Sequence, residues 1–201
     1  MVPRAGTLII THGLNKGDRM AKISLMVGHK IEAQGADSVA PLQMTEYAFN
    51  TEFAKGLAAV LSKDHDVKIF FRDGLSITSA YRAVDKWGPA ISMELHFNSA
   101  DTPAAYGTET LCVSRSRVFA KIVQDAMCKA LGRDVNGGDR GVKILEPDDR
   151  GYTSVTQLQC PNILVEPFFG SSEKDCALIM ANIGKLCSGI EVAINHYLSL
   201  T

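Results

Sequence analysis

Four residues of this chain carry side chains suited to hydrolysis at a metal ion: His29, Glu46, His96 and Glu166. Each closes an apolar, strand-like run or opens a predicted helix. Two imidazoles and one carboxylate can hold Zn2+ and leave a coordination position open for water. A further carboxylate can then move protons. Glu166 suits that task, because Leu164-Val165-Glu166-Pro167 is a poor setting for a solvated carboxylate. Burial beside a metal would perturb its pKa, as proton transfer requires. The plainer reading of Glu166 is a structural carboxylate paired with Arg72 or Arg150.

His29 follows the strand-ending Gly28, and His96 ends the run Glu94-Leu95-His96. Two carboxylates compete for the third ligand position. Glu32 stands three residues after His29, the HxxE spacing also used by zinc carboxypeptidases. Glu46 opens a helix behind Thr45, a good N-cap, where a carboxylate also suits the helix dipole without any metal. Glu94 lies two residues before His96 and so shares its side of a strand. It is fit either to support the metal site or to form an ion pair in the core. His65, in Lys63-Asp64-His65-Asp66, reads as a solvated turn residue, and His196 as a surface residue of the last helix. His12 belongs to an N-terminal stretch outside the main pattern.

The elements that must position these groups alternate between strand and helix. Strands are predicted at 23–27, 67–71, 90–96, 108–113 and 163–166, from short apolar runs bounded by turn residues. Helices are predicted from Glu46 to about Ser62, at 76–85 with Thr78 and Ser79 as competing caps, at 117–131, and at 173–197. Residues 136–150, rich in Gly and Asp, read as a long surface loop. This alternation predicts a single α/β domain, a mostly parallel central sheet with helices on both faces. In such sheets ligands gather at the carboxyl ends of the strands, where His29, His96 and Glu166 all fall. Residues 20–201 form this domain and 1–19 an extension, with Met20 a plausible alternative start.

Bulk composition excludes several classes. The chain has 21 basic and 22 acidic residues for a net charge of −1, which does not favour a nucleic-acid surface or stable membrane association. No run approaches the roughly 18 consecutive apolar residues of a membrane span, and the N-terminus is too weakly apolar for a signal peptide. The five cysteines are widely spaced without a CxxC pair, as in a reduced cytoplasmic protein. Nothing in the pattern speaks to oligomeric state.

An ordered set of short motifs ties the pattern together. Gly28-His29 is followed by Gly35-Ala36, then Glu46 with Asn50, then Arg72-Asp73. His96-Phe97-Asn98, Gly107-Thr108-Glu109 and Val165-Glu166-Pro167-Phe168-Phe169 complete it. In this order the set resembles the zinc-dependent N-acetylmuramoyl-L-alanine amidases, the family of many phage endolysins and bacterial autolysins, from about Met20 to the C-terminus. The resemblance implies Zn2+ held by His29, Glu46 and His96, which favours Glu46 over Glu32. It implies Glu166 as general base and then acid, and peptidoglycan as substrate, cut between N-acetylmuramic acid and the L-Ala of the stem peptide. The chain departs from the family at Lys30-Ile31, where Gly-Gly is usual, at Ser171-Ser172, where Ser-Asn is common, and at Glu94, where a small residue is common. One catalytic domain without a signal peptide suits a phage or prophage endolysin, cytoplasmic until released to the wall. The alternatives are a zinc carboxypeptidase built on Glu32 and a non-catalytic wall-binding protein.

Overall fold

The computed structural model describes residues 20–201, so the extension at 1–19, with His12, lies outside the described residues. Strand β1 (Lys22–Val27) leads to helix α1 (Glu46–Leu61), then β2 (Asp66–Phe70), α2 (Ile77–Trp87) and β3 (Ile91–Leu95). There follow β4 (Thr108–Cys112), a 3-10 turn at Ser114–Ser116, α3 (Arg117–Leu131) and β5 (Asp139–Ile144). The short α4 (Tyr152–Thr156), β6 (Asn162–Glu166) and the long α5 (Glu173–Ser199) complete the chain. One sheet holds all six strands in the order β2-β1-β3-β6-β4-β5. Every neighbouring pair is parallel except β4 and β6, which run antiparallel. The expected α/β architecture is therefore present.

Alternation along the strands sorts the two faces. Ile23, Leu25 and Val27 of β1, with Ile91, Met93 and Leu95 of β3, join the main core under α1, α3 and α5. Met26 faces the other way, against Ala80, Tyr81 and Val84 of α2. Leu164 of β6 packs on that second side against Val155 of α4. Helix α5 is long and apolar enough by composition to cross a membrane; here it packs along α1 and α3 and buries Ile179, Leu186, Ile190 and Ile194. The five cysteines are free thiols, and all but Cys160 are buried.

Three local expectations are corrected. The stretch read as a loop contains β5, a strand on the sheet's outer edge beside β4. Its Asp-Arg-Gly-Val-Lys-Ile sequence alternates weakly because an edge strand buries little. Helix α2 is capped by Ser76, whose hydroxyl accepts from the Ser79 amide, and not by Thr78 or Ser79. His65 is buried rather than solvated: its Nδ1 accepts from the Ala21 amide, and its Nε2 lies 2.6 Å from Asn195 Oδ1 of α5.

Candidate metal centre

The sheet's carboxyl edge gathers the residues singled out in the sequence. His29 stands two residues past the end of β1, beyond Gly28, with a left-handed φ of 66°. Few residues other than glycine adopt that conformation, and those that do cluster at functional sites. The turn is held from β2's end. Arg72 Nε donates to the His29 carbonyl at 3.3 Å, and Asp73 accepts from the Ile31 amide and the Tyr47 hydroxyl, each at 2.9 Å. Glu46 is the first residue of α1, behind Thr45, whose hydroxyl accepts from the Ala48 amide. His96 follows β3 directly, and its amide donates to Val165 on β6 at 3.0 Å.

These segments bring His29, Glu46 and His96 together, with one potential ligand atom from each within 4.8 Å of the others. His29 Nε2 lies 2.9 Å from Glu46 Oε2, and His96 Nδ1 lies 2.7 Å from Glu46 Oε1. The backbone packs tightly around them. A Cβ at Gly28 would collide with the Leu95 carbonyl and the His96 ring, and one at Gly35 would meet Glu46 Oε2 at 2.6 Å. Glu32, the competing third ligand, is exposed and turned elsewhere, its Oε1 accepting from the Gly74 amide at 2.9 Å.

The donor set fits a metal ion on two observations. First, His29 Nε2 is buried and close to a carboxylate, yet it lacks hydrogen-bond alignment with any partner. A buried polar atom without a partner calls for an explanation, and a cation between the groups supplies one. Second, two imidazoles and a carboxylate are the donors of hydrolytic zinc sites. The electrostatics agree. Burial opposes a charge on Glu46, but contacts with His29 and His96 outweigh it and lower the pKa to about 2. Burial likewise opposes a charge on His96, but the Glu46 and Glu94 carboxylates outweigh it and raise the pKa to about 10. The pocket favours positive charge, and in the protein alone His96 carries it.

Behind His96 stands Glu94, 1 % exposed. Its Oε1 lies 3.0 Å from His96 Nε2, its Oε2 accepts from the Tyr81 hydroxyl at 2.7 Å, and Arg72 Nη1 is 3.9 Å away. Burial raises its pKa, but His96, Arg72 and Tyr81 more than compensate and bring it to about 2.

Glu166 ends β6 and lines one cavity with His29, Glu94, His96, Asn98 and Glu109, of about 380 Å³. It pairs with neither Arg72 nor Arg150 in an ion pair. Because β4 and β6 are antiparallel, Glu109 sits directly opposite Glu166. The Asn98 amide group donates to both carboxylates, at 2.6 Å to Glu109 Oε1 and 2.8 Å to Glu166 Oε2. Arg140 of β5 donates from Nε to Glu109 Oε2 at 2.6 Å. Burial pushes the Glu166 pKa well above the usual carboxylate range, and Glu109 and Glu46 add to that against the opposing pull of His96. Two carboxylates of one site thus differ sharply: Glu46 is held ionised and Glu166 tends to hold a proton.

Comparison with known proteins places this arrangement. A family model described as N-acetylmuramoyl-L-alanine amidase matches residues 23–196. The chain belongs to the N-acetylmuramoyl-L-alanine amidase family. No curated protein sequence matches it. Among solved structures, the catalytic domain of CwlV, an N-acetylmuramoyl-L-alanine amidase from Bacillus (Paenibacillus) polymyxa var. colistinus, is similar at TM-score 0.76 and 21% identity, over 90% of this chain and 100% of that one. An N-acetylmuramoyl-L-alanine amidase from Clostridium difficile 630 is similar at TM-score 0.76 and 21% identity, over 90% and 98% of the two chains. The catalytic domain of the CD27L endolysin targeting Clostridia difficile follows at TM-score 0.72 and 21% identity, over 87% and 96%. The six-stranded sheet with flanking helices is the fold these amidase domains share with this chain.

In the sequence Asn98 and Glu109 stand out only as motif members, and Arg140 falls within the stretch that reads as a loop. The His-x-Asn spacing was the available signal for Asn98. Nothing in the sequence shows that β4 turns antiparallel to β6, and that pairing is what brings Glu109 and Arg140 beside Glu166.

Proposed function

We propose that this chain hydrolyses the amide between N-acetylmuramic acid and L-Ala of the peptidoglycan stem, with Zn2+ held by His29, Glu46 and His96. The observation that carries this reading is the convergence of those three side chains, two of which, His29 and His96, line one cavity with Glu166. When bound, zinc supplies Lewis acidity, bringing the pKa of a water to roughly 7 and polarising the scissile carbonyl.

The protein's own residues do the rest. Glu166 takes the proton of the attacking water through its carboxylate and delivers it to the departing amide nitrogen. The raised pKa matches it to this exchange, and a cation in the same cavity favours the ionised form needed at the start. Asn98 holds Glu166 Oε2, which fixes the direction in which the carboxylate presents its free oxygen. Glu109 keeps the surroundings of Glu166 negative, so that the captured proton is retained until the leaving group accepts it.

Purified peptidoglycan digested with zinc-loaded or chelated protein, with products read by mass spectrometry, tests the reading. Stem peptides beginning at L-Ala, released only with metal, are the expected products. Loss of a C-terminal residue from intact muropeptides would instead identify a carboxypeptidase. Binding without cleavage would leave a wall-binding protein and remove the role of Glu166. We further propose that the enzyme serves as a phage or prophage endolysin. Expression inside a bacterium should then cause lysis only when a membrane-permeabilising partner is co-expressed.

A further inference from the structure

His96 presents two nitrogens, and only one of them can serve the metal centre. Nδ1 faces Glu46 Oε1 at 2.7 Å, on the carboxylate whose other oxygen meets His29 Nε2 at 2.9 Å. Nε2 faces away, toward Glu94 Oε1 at 3.0 Å. An ionised carboxylate has only acceptor positions. A proton on Nε2 therefore makes a hydrogen bond to Glu94, whereas a bare Nε2 would set a lone pair against a carboxylate oxygen. Glu46 makes the same demand on Nδ1, so both nitrogens hold protons in the protein alone; when a cation takes the place of the Nδ1 proton beside Glu46, Glu94 keeps the remaining proton on Nε2.

The placement of Glu94 is itself over-determined. It lies on β3, whose five residues are all buried, on the face turned toward α2. There the Tyr81 hydroxyl, 1 % exposed, donates to Oε2 at 2.7 Å. Arg72 approaches Oε1 at 3.9 Å, and its Nε also donates to the His29 carbonyl at 3.3 Å. The same guanidinium thus touches the support of one histidine and the backbone of the other. Gly28 packs against the same Nε2–Cε1 edge of the ring and leaves no slack there, since even a methyl group at Gly28 would strike it.

We infer that Glu94 is a positioning residue of this centre: braced by Tyr81 and Arg72, it fixes the His96 ring and tautomer so that Nδ1 faces the ion. The inference rests on the proposed metal reading. Partners of this kind orient ligating histidines, and losing one costs typically about 10–100-fold in metal affinity.

The test is competition with a chromophoric chelator for Zn2+, using wild type, E94Q, E94A and Y81F, with circular dichroism verifying the fold of each. E94A should weaken zinc binding about 10–100-fold. Y81F, which keeps the carboxylate but removes one anchor, should weaken it less and in the same direction. In 15N-edited spectra of the zinc-loaded wild type, the His96 Nε2 proton should appear far downfield and exchange slowly, and E94A should lose that signal. A merely structural Glu94 would alter melting but neither zinc affinity nor this resonance. Wild-type zinc affinity in both Glu94 variants, with the imidazole proton unchanged, would overturn the inference and leave Glu94 as a core ion pair with Arg72. Should E94A fail to fold, E94Q and Y81F decide the matter by the same two readouts. Failure of the wild type to take up one equivalent of zinc would overturn the metal reading itself, and this inference with it.

Discussion

At the scale of single residues the site divides into groups that hold positive charge and a group that holds a proton. Glu166→Gln keeps the shape and the Asn98 contact but removes the exchangeable proton. It should lower amide hydrolysis about 10²–10⁴-fold, while chelator competition shows zinc affinity unchanged. The charge-holding pair has a separate signature in the metal-free protein. The His96 pKa is raised from 6.5 to about 10, so its contribution to stability is complete below 6.5 and lost as pH climbs through 10. The Glu46 pKa is lowered from 4.5 to about 2, so its contribution is complete above 4.5 and lost as pH falls through 2. Glu166, raised from 4.5, reinforces the alkaline loss. Thermal melting of the chelated protein across pH should therefore peak in the mildly acidic range and decline steadily on the alkaline side. The place of His29, His96 and Glu166 at the sheet's carboxyl edge was legible in the sequence because each follows a short apolar run that reads as a strand. Glu46 was legible through Thr45 but needed the family resemblance to prevail over Glu32, whose HxxE spacing is equally good chemistry. His65 was not legible: its neighbours Asp64 and Asp66 suggest water, and only the fold brings Asn195 to it.

At the scale of elements, the site depends on how helix starts and strand ends are pinned. Thr45→Ala removes the cap that starts α1 at Glu46, and denaturant unfolding should show a loss of about 1 kcal/mol. A larger effect is expected at the start of α5. Asp175, fully buried, accepts from Arg133 at 2.5 Å and, through Oδ2, from the Gly107 and Phe169 amides at 2.9 and 3.0 Å. It thus ties together the entry to β4, which carries Glu109, and the exit from β6, which carries Glu166. Asp175→Ala leaves Arg133 charged and buried, and urea denaturation should report a loss of about 3–5 kcal/mol. The long helices were legible because their apolar spacing persists over several turns, as in α3. Strand β5 was not, because an edge strand interrupted by Gly141, with φ of 77°, has neither the burial nor the regularity that a pattern can register.

At the scale of the whole molecule, the proposed metal ligands come from three separate segments and the proposed proton carrier from a fourth. Zinc binding and folding are therefore linked, and saturating zinc should raise the melting temperature. The gain is about 2.7 kcal/mol when free zinc stands about 100-fold above its Kd, and calorimetry with and without chelator measures it. The α/β class and the carboxyl-edge location of the site followed from alternating strand and helix signals. The order of strands did not, because sequence reveals where strands lie but not which edges meet. That order has a consequence for the sheet. The last strand of the described residues, β6, is the keystone of the sheet: β2-β1-β3 stand on one side of it and β4-β5 on the other. Without β6, neither β3 nor β4 has a partner on its inner edge. The residue at the keystone's tip is Glu166, so the strand that makes the sheet continuous is also the one that carries the proposed proton carrier.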